Sequence, residues 1–192
     1  MMHHLLVPHN IDDESLIPDT LGRMNSPRWL DADEQRAWRA YLRMQGRLTA
    51  RLNRELQAGS ALSLADYEVL VHLTDNADGR LRPFELERGL QWEQSRLSHH
   101  LTRMQRRGLV RREECEEDGR GAFVVISEEG RRAIAAAAPG HVATVRRLFF
   151  DGLTPEQVAA LERLATDVLA RLDDDSPGDD PGPGPGPGDG LS

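Results

Sequence analysis

A mainly α-helical fold carrying one small β-hairpin is what this sequence predicts. Three observations carry the prediction. Apolar residues recur at helical spacing through most of the central chain. One β-branched, aromatic run, AFVVI at 122–126, stands out against them. The third is QSRLSHHLTRMQRRG at 94–108. At ~100° per residue it places Leu97, Leu101 and Met104 on one side. Ser95, His99, Thr102, Arg103 and Arg106 fall on the other, with Arg96 at its edge. One face wants a core, and the other is cationic and rich in donors.

Taken in order, residues 1–28 read as a flexible arm, broken by Pro8, Pro18 and Pro27. His3, His4 and His9 lie there without a Cys or a fixed carboxylate, so they read as loose chain rather than as a metal site. Met24 opens a second candidate translation start, which N-terminal mass spectrometry of the native protein would check. Asp31 to Gln57 predicts a long helix. Asp31, Asp33 and Glu34 load its first turn, and Trp38, Tyr41, Leu42, Leu48, Leu52 and Leu56 form its stripe. Ser63 and Asp66 make a capping-box-like start for a helix running to about Thr74. Asp75–Gly79 reads as a turn. Arg82–Gly89 predicts a short helix with Pro83 in its first turn. Leu90–Glu93 leads into the 94–108 helix, which Gly108 stops.

Leu109–Glu114 and Ala122–Ile126 then predict a hairpin with an Asp-Gly tip. Ser127 caps a helix that should break at Pro139-Gly140 and resume from His141 to Phe150. Thr154, Pro155 and Gln157 mark a final start, followed by the stripe Val158, Leu161, Leu164, Ala165, Val168, Leu169 and Leu172. Residues 173–192, DDDSPGDDPGPGPGPGDGLS, read as a disordered acidic tail.

Composition narrows the function. The 192 residues carry a net charge of −8, yet from Arg80 to Arg112 nine arginines against three glutamates leave +6. A basic island in an acidic chain points to a nucleic-acid partner. One cysteine, Cys115, excludes an internal disulfide and fits a reducing, cytoplasmic setting. No apolar run approaches the ~20 residues of a membrane span. No nucleophile elbow, phosphate loop or metal-ligand spacing appears, so no catalytic residues, metal or cofactor are expected and the chain does not read as an enzyme.

Three helices and a hairpin, with the third helix basic, form a winged helix-turn-helix pattern. The major groove is ~12 Å wide and admits one helix. Ser95, Arg96, Ser98, His99 and Arg103 suit its base edges and phosphates, and Arg96 and Arg103 fit either guanine or phosphate. Arg120, at the hairpin tip, suits a minor groove.

The stretches LSLADYEVLVHL, LRPFELERGLQWEQSRLSHHLTRMQRRGLVRRE and EEDGRGAFVVISEEGRR resemble the MarR (multiple antibiotic resistance regulator) family. The likeness runs from about Asp31 to Leu172. It implies a winged helix-turn-helix domain over 29–172, with a DNA-binding lobe at 61–126 and dimerisation helices at 31–58 and 127–172. It also implies an obligate homodimer on a pseudo-palindromic DNA operator, usually a repressor, in many members released by a phenolic or lipophilic small molecule. By position, Ser95, Arg96, Ser98, His99, His100 and Arg103 become recognition-helix residues, joined by Thr102 and Arg106 on the same face, and Arg120 the wing-tip base. Asp118 matches an acid that shapes the wing, flanked by Gly119 and Gly121. The chain departs from the family at Glu93, where Ser is usual, and at Gln105, where Glu is common.

Plainer readings stand beside these. Adjacent His99 and His100 point ~100° apart and do not suit one metal. His100, at the flank, is as well suited to a structural hydrogen bond as to DNA. Trp38, Tyr41 and His72 are candidates for a ligand pocket, or else ordinary core. Cys115 sits among Glu113, Glu114, Glu116 and Glu117, a setting that blunts a thiolate and disfavours a redox-responsive regulator. A winged-helix module binding protein rather than DNA is the other alternative, and the basic island argues against it.

Overall fold

In a computed structural model of the protein, the described residues are 28–114 and 122–174. They fall into two units divided after Met44, within the first helix.

That helix, α1, runs Ala32–Ser60, three residues past its expected end. The side chain of Asp31 accepts from Asp33 N–H and Glu34 N–H, both at 2.8 Å, and so caps its start. In the first unit Trp38 and Tyr41 stack with ring centroids 5.6 Å apart, and both remain exposed.

The second unit holds the core. Helix α2 (Leu64–Asp75) starts with the expected capping box: Ser63 Oγ accepts from Asp66 N–H, and an Asp66 oxygen accepts from Ser63 N–H. Strand β1 (Arg80–Leu81) was not expected, and its two residues pair antiparallel with Val125 and Val124. Helix α3 spans Pro83–Leu90 and α4 spans Gln94–Arg106. Strands β2 (Val110–Glu114) and β3 (Ala122–Ile126) are antiparallel, with Val110 opposite Ile126 and Glu114 opposite Ala122. The sheet therefore has three strands in the order β1-β3-β2, rather than a hairpin alone.

Helix α5 (Glu128–Val145) passes through Pro139 without a break, contrary to the expected interruption. Ile134 and Ala137 before it and Thr144 after it are buried, and burial on both sides holds the helix through the one hydrogen bond that proline cannot make. A π-helical turn, Arg146–Phe150, follows directly and closes with Asp151 N–H donating to the Arg146 carbonyl. Helix α6 (Pro155–Asp174) opens on a reciprocal Thr154–Gln157 box.

Val69, Leu70 and Leu73 of α2, Leu86 of α3, Leu97, Leu101 and Met104 of α4, and Val124 and Ile126 of β3 are buried together. Each such side chain contributes about 1.5–3 kcal/mol by leaving water. One face of α4 is thus fixed on every side. The recognition face has no such anchor and is left to the solvent.

Candidate nucleic-acid interface

Helix α4 enters through an unusual connection. Gln91 takes a left-handed conformation (φ 52°), and the helix then opens at Glu93, whose side chain makes no cap bond. The end is tightly built. Gly108 (φ 73°) lets its own N–H donate to the Gln105 carbonyl, while Leu109 N–H donates to that of Met104. These two bonds are the Schellman motif, and Gly is the residue that adopts it without strain. Ser127 closes the site from the far strand, its hydroxyl donating to the Gly108 carbonyl. The basic helix is therefore held at its C-terminal end by the residue that also caps α5.

Ser95, Arg96, Ser98, His99, Thr102, Arg103 and Arg106 are all exposed, on the face opposite the core. The Thr102 hydroxyl donates to the Ser98 carbonyl, so its donor is spent within the helix. Ser95 and Ser98 also border an open concavity of about 410 Å³, shared with Pro83, Glu87 and Arg112. Arg96 sits over Trp92, its guanidinium carbon 4.2 Å from the ring centroid. Such a stack is worth about 0.5–1 kcal/mol at an exposed site and restricts where the guanidinium goes.

His100 takes the structural setting that was one of the two readings of its position. It is only 7% exposed, so its ring does not join the outward face. It packs edge-on against Trp92 at 5.3 Å between centroids. Its Nδ1 lies 3.0 Å from Arg103 Nη2. Its Nε2 lies 3.0 Å from Asp66 Oδ1, without the alignment of a hydrogen bond. The spacing carried the signal: position 100 is three residues after Leu97 and four before Met104, inside the apolar stripe.

Asp66 organises this corner. Burial alone would push its carboxyl up. The contacts from His100, Ser63 and Arg107 outweigh burial and hold it far below the usual carboxylate range. Arg107 donates to Asp66 Oδ2 at 2.6 Å and to the Ala61 carbonyl at 2.8 Å. That tie, from the end of α4 to the start of α2, was not legible in the sequence, where Arg107 is one more arginine of the basic island.

Two further cations were missed. Arg80 and Arg82 place their guanidinium carbons 4.8 and 4.2 Å from the centre of the Phe123 ring, beside the strand that leads down from the wing. Both belong to the basic island, but their shared aromatic seat appears only once β1 pairs with β3. Arg120, Asp118, Gly119, Gly121 and Cys115 lie outside the described residues.

The residues suggested for a ligand pocket fall in different units. Trp38 and Tyr41 stack on each other in the first unit. In the second, His72 packs against Gly89, where a Cβ would come within 2.7 Å of its ring. The second unit also holds a cavity of about 230 Å³, lined by Glu55, Leu56, Ser60, Ala137, His141 and Thr144 among others. His141 packs at a tilt against Tyr67, with ring centroids 4.4 Å apart, and its Nδ1 is buried without a partner. Burial also pushes its imidazole below the ordinary value, so the ring is neutral near pH 7.

Comparison with known proteins places this arrangement. Residues 62–121 match the sequence model of the MarR family. AbsC, a MarR family transcriptional regulator from Streptomyces coelicolor, is 41% identical; the alignment covers 77% of this chain and 99% of AbsC, with a TM-score of 0.72. Sco3205, a MarR family regulator of the same organism solved in complex with DNA, is 40% identical over 80% of this chain and 97% of its own, with a TM-score of 0.75. The HTH-type transcriptional repressor YetL of Bacillus subtilis (strain 168) is 26% identical over 115 residues, 60% of this chain and 68% of that protein. An identity of 41% to AbsC over 77% of this chain and 99% of AbsC, together with the match to the family model, means that this chain belongs to the MarR family of transcriptional regulators.

Proposed function

We propose that the protein is a sequence-specific DNA-binding transcriptional regulator, acting as a repressor and binding as a homodimer to a pseudo-palindromic operator. One observation carries the reading: α4 buries one face completely and leaves Ser95, Arg96, Ser98, His99, Arg103 and Arg106 exposed on the other, with no acid among them. In this reading α4 lies in the major groove, and Arg80 and Arg82 meet the backbone beside it. Arg120 reaches an adjacent minor groove. The relatives named above support DNA as the partner and repression as the outcome.

The test selects genomic fragments with the purified protein and titrates the tightest one with salt. We expect a palindrome whose half-sites are one helical turn apart, ~34 Å, and log-linear weakening by ~0.9 per neutralised phosphate. A protein that enriches no fragment, or whose binding ignores salt, refutes the reading.

A second element rests on the cavity at His141. A neutral ring with an unpartnered nitrogen, next to the Thr144 and Ser60 hydroxyls, suits a small apolar molecule with one hydroxyl or carboxyl group. Such a molecule would be the effector that releases DNA. A phenolic library screened by thermal shift checks this, with His141→Leu expected to abolish any hit.

A further inference from the structure

Arg103 and His100 stand three residues apart on α4, one exposed and the other buried. A guanidinium has donors only and no acceptor. Arg103 Nη2 lies 3.0 Å from His100 Nδ1. That nitrogen must therefore offer its lone pair, which leaves the ring neutral with its proton on Nε2. The Nε2 side faces Asp66, whose carboxylate favours a proton there. Asp66 is itself tethered: its second oxygen accepts from Ser63 N–H at 2.9 Å and from Arg107 at 2.6 Å. Trp92 packs edge-on against the His100 ring and carries Arg96 on its face. Glu68 and Arg96 are the other charges nearby.

A surface arginine normally samples many rotamers and loses that freedom on binding. Here the guanidinium of Arg103 has a fixed acceptor, and the acceptor is held from three directions. We propose that His100 is a positioning residue for DNA readout: buried and neutral, it aims Arg103 at one base pair and thereby sets the base preference there. The proposal rests on the DNA-binding reading above and extends it from the exposed face to a residue that never touches DNA.

The test uses duplexes selected from a random-sequence pool by the full-length protein. His100→Leu removes the acceptor while keeping an apolar fill. It should lower affinity for the selected duplex about tenfold or more and flatten the base preference at one symmetry-related pair of positions, as Arg103→Ala does. In the Arg103→Ala background the same change should have almost no further effect on affinity. His100→Gln, whose amide offers both an N–H donor group and a carbonyl acceptor, should restore most of the preference. A ¹⁵N–¹H spectrum of the free protein should show the neutral Nε2–H tautomer of His100, independently of DNA and of any variant's folding. An Nδ1–H or charged ring, or losses that add in the double variant, overturns the proposal while leaving DNA binding intact. A pool that the wild type does not enrich rejects DNA binding itself, while the spectrum still decides the His100–Arg103 geometry.

Discussion

At the scale of single residues, Asp66 is where stability and the binding face meet. Its carboxylate is 3% exposed and holds Ser63, Arg107 and His100 at once. Its folded pKa lies below the unfolded value of ~3.9. Its contribution is therefore complete above that value and is lost as pH falls through the folded one. Asp66→Asn should cost about 3 kcal/mol at pH 7, because it strips a buried charge network of its centre. It should also flatten the decline of stability between pH 5 and acid pH. Urea titrations across that range, at fixed protein concentration, measure both effects. A variant as stable as the wild type at pH 7 would show that the network adds nothing.

At the scale of elements, what could be read from the chain was what is encoded locally. Ser63 with Asp66, Ser127 with Gly130, and Thr154 with Gln157 satisfy helix ends within four residues, so each start was legible. Gly108 was legible for the same reason. Strand β1 was not, because two residues have no period and exist as a strand only through Val124 and Val125. Pro139 misled, because the burial that carries α5 past it is tertiary. Half of the candidate site was likewise open to reading. The exposed face follows from spacing alone, whereas the corner under it joins Asp66 to residues 34 and 41 positions away. Two glycines in one corner separate local from tertiary constraint. Gly108 needs its positive φ but has open space around it, so Gly108→Ala should cost only about 1 kcal/mol. Gly130 has an ordinary helical backbone, but a Cβ there would meet the Leu109 carbonyl oxygen, which α5 approaches closely. Gly130→Ala should therefore cost more, toward 3 kcal/mol, and shift the end of α4. Thermal unfolding of the two variants in parallel decides the order, and equal losses would mean that the approach of α5 to Leu109 relaxes freely.

At the scale of the whole molecule, the apolar surface is distributed in a way one chain alone does not explain. Helix α6 buries none of its residues, although Leu164, Leu169 and Leu172 are 62%, 59% and 60% exposed and share its stripe with Val158 and Val168. Single exposed leucines need no explanation, but a continuous stripe over 20 residues does. A second copy covering it accounts for the stripe and also for the operator symmetry proposed above, since two recognition helices held at one spacing read two half-sites. The energetic consequence is large. Joining two half-site contacts makes the second effectively intramolecular, which gains ~10²–10⁴ in affinity without any new contact. Leu164→Asp puts a charge in the middle of the stripe and leaves every residue of the α4 face untouched. It should give a folded monomer by light scattering, with helical content retained, and weaken binding to a two-half-site duplex by that ~10²–10⁴ factor. On a duplex carrying one half-site the variant and the wild type should bind alike. A variant that stays dimeric, or a monomer that binds the full operator at wild-type strength, would show that α6 does not set the spacing of the recognition helices.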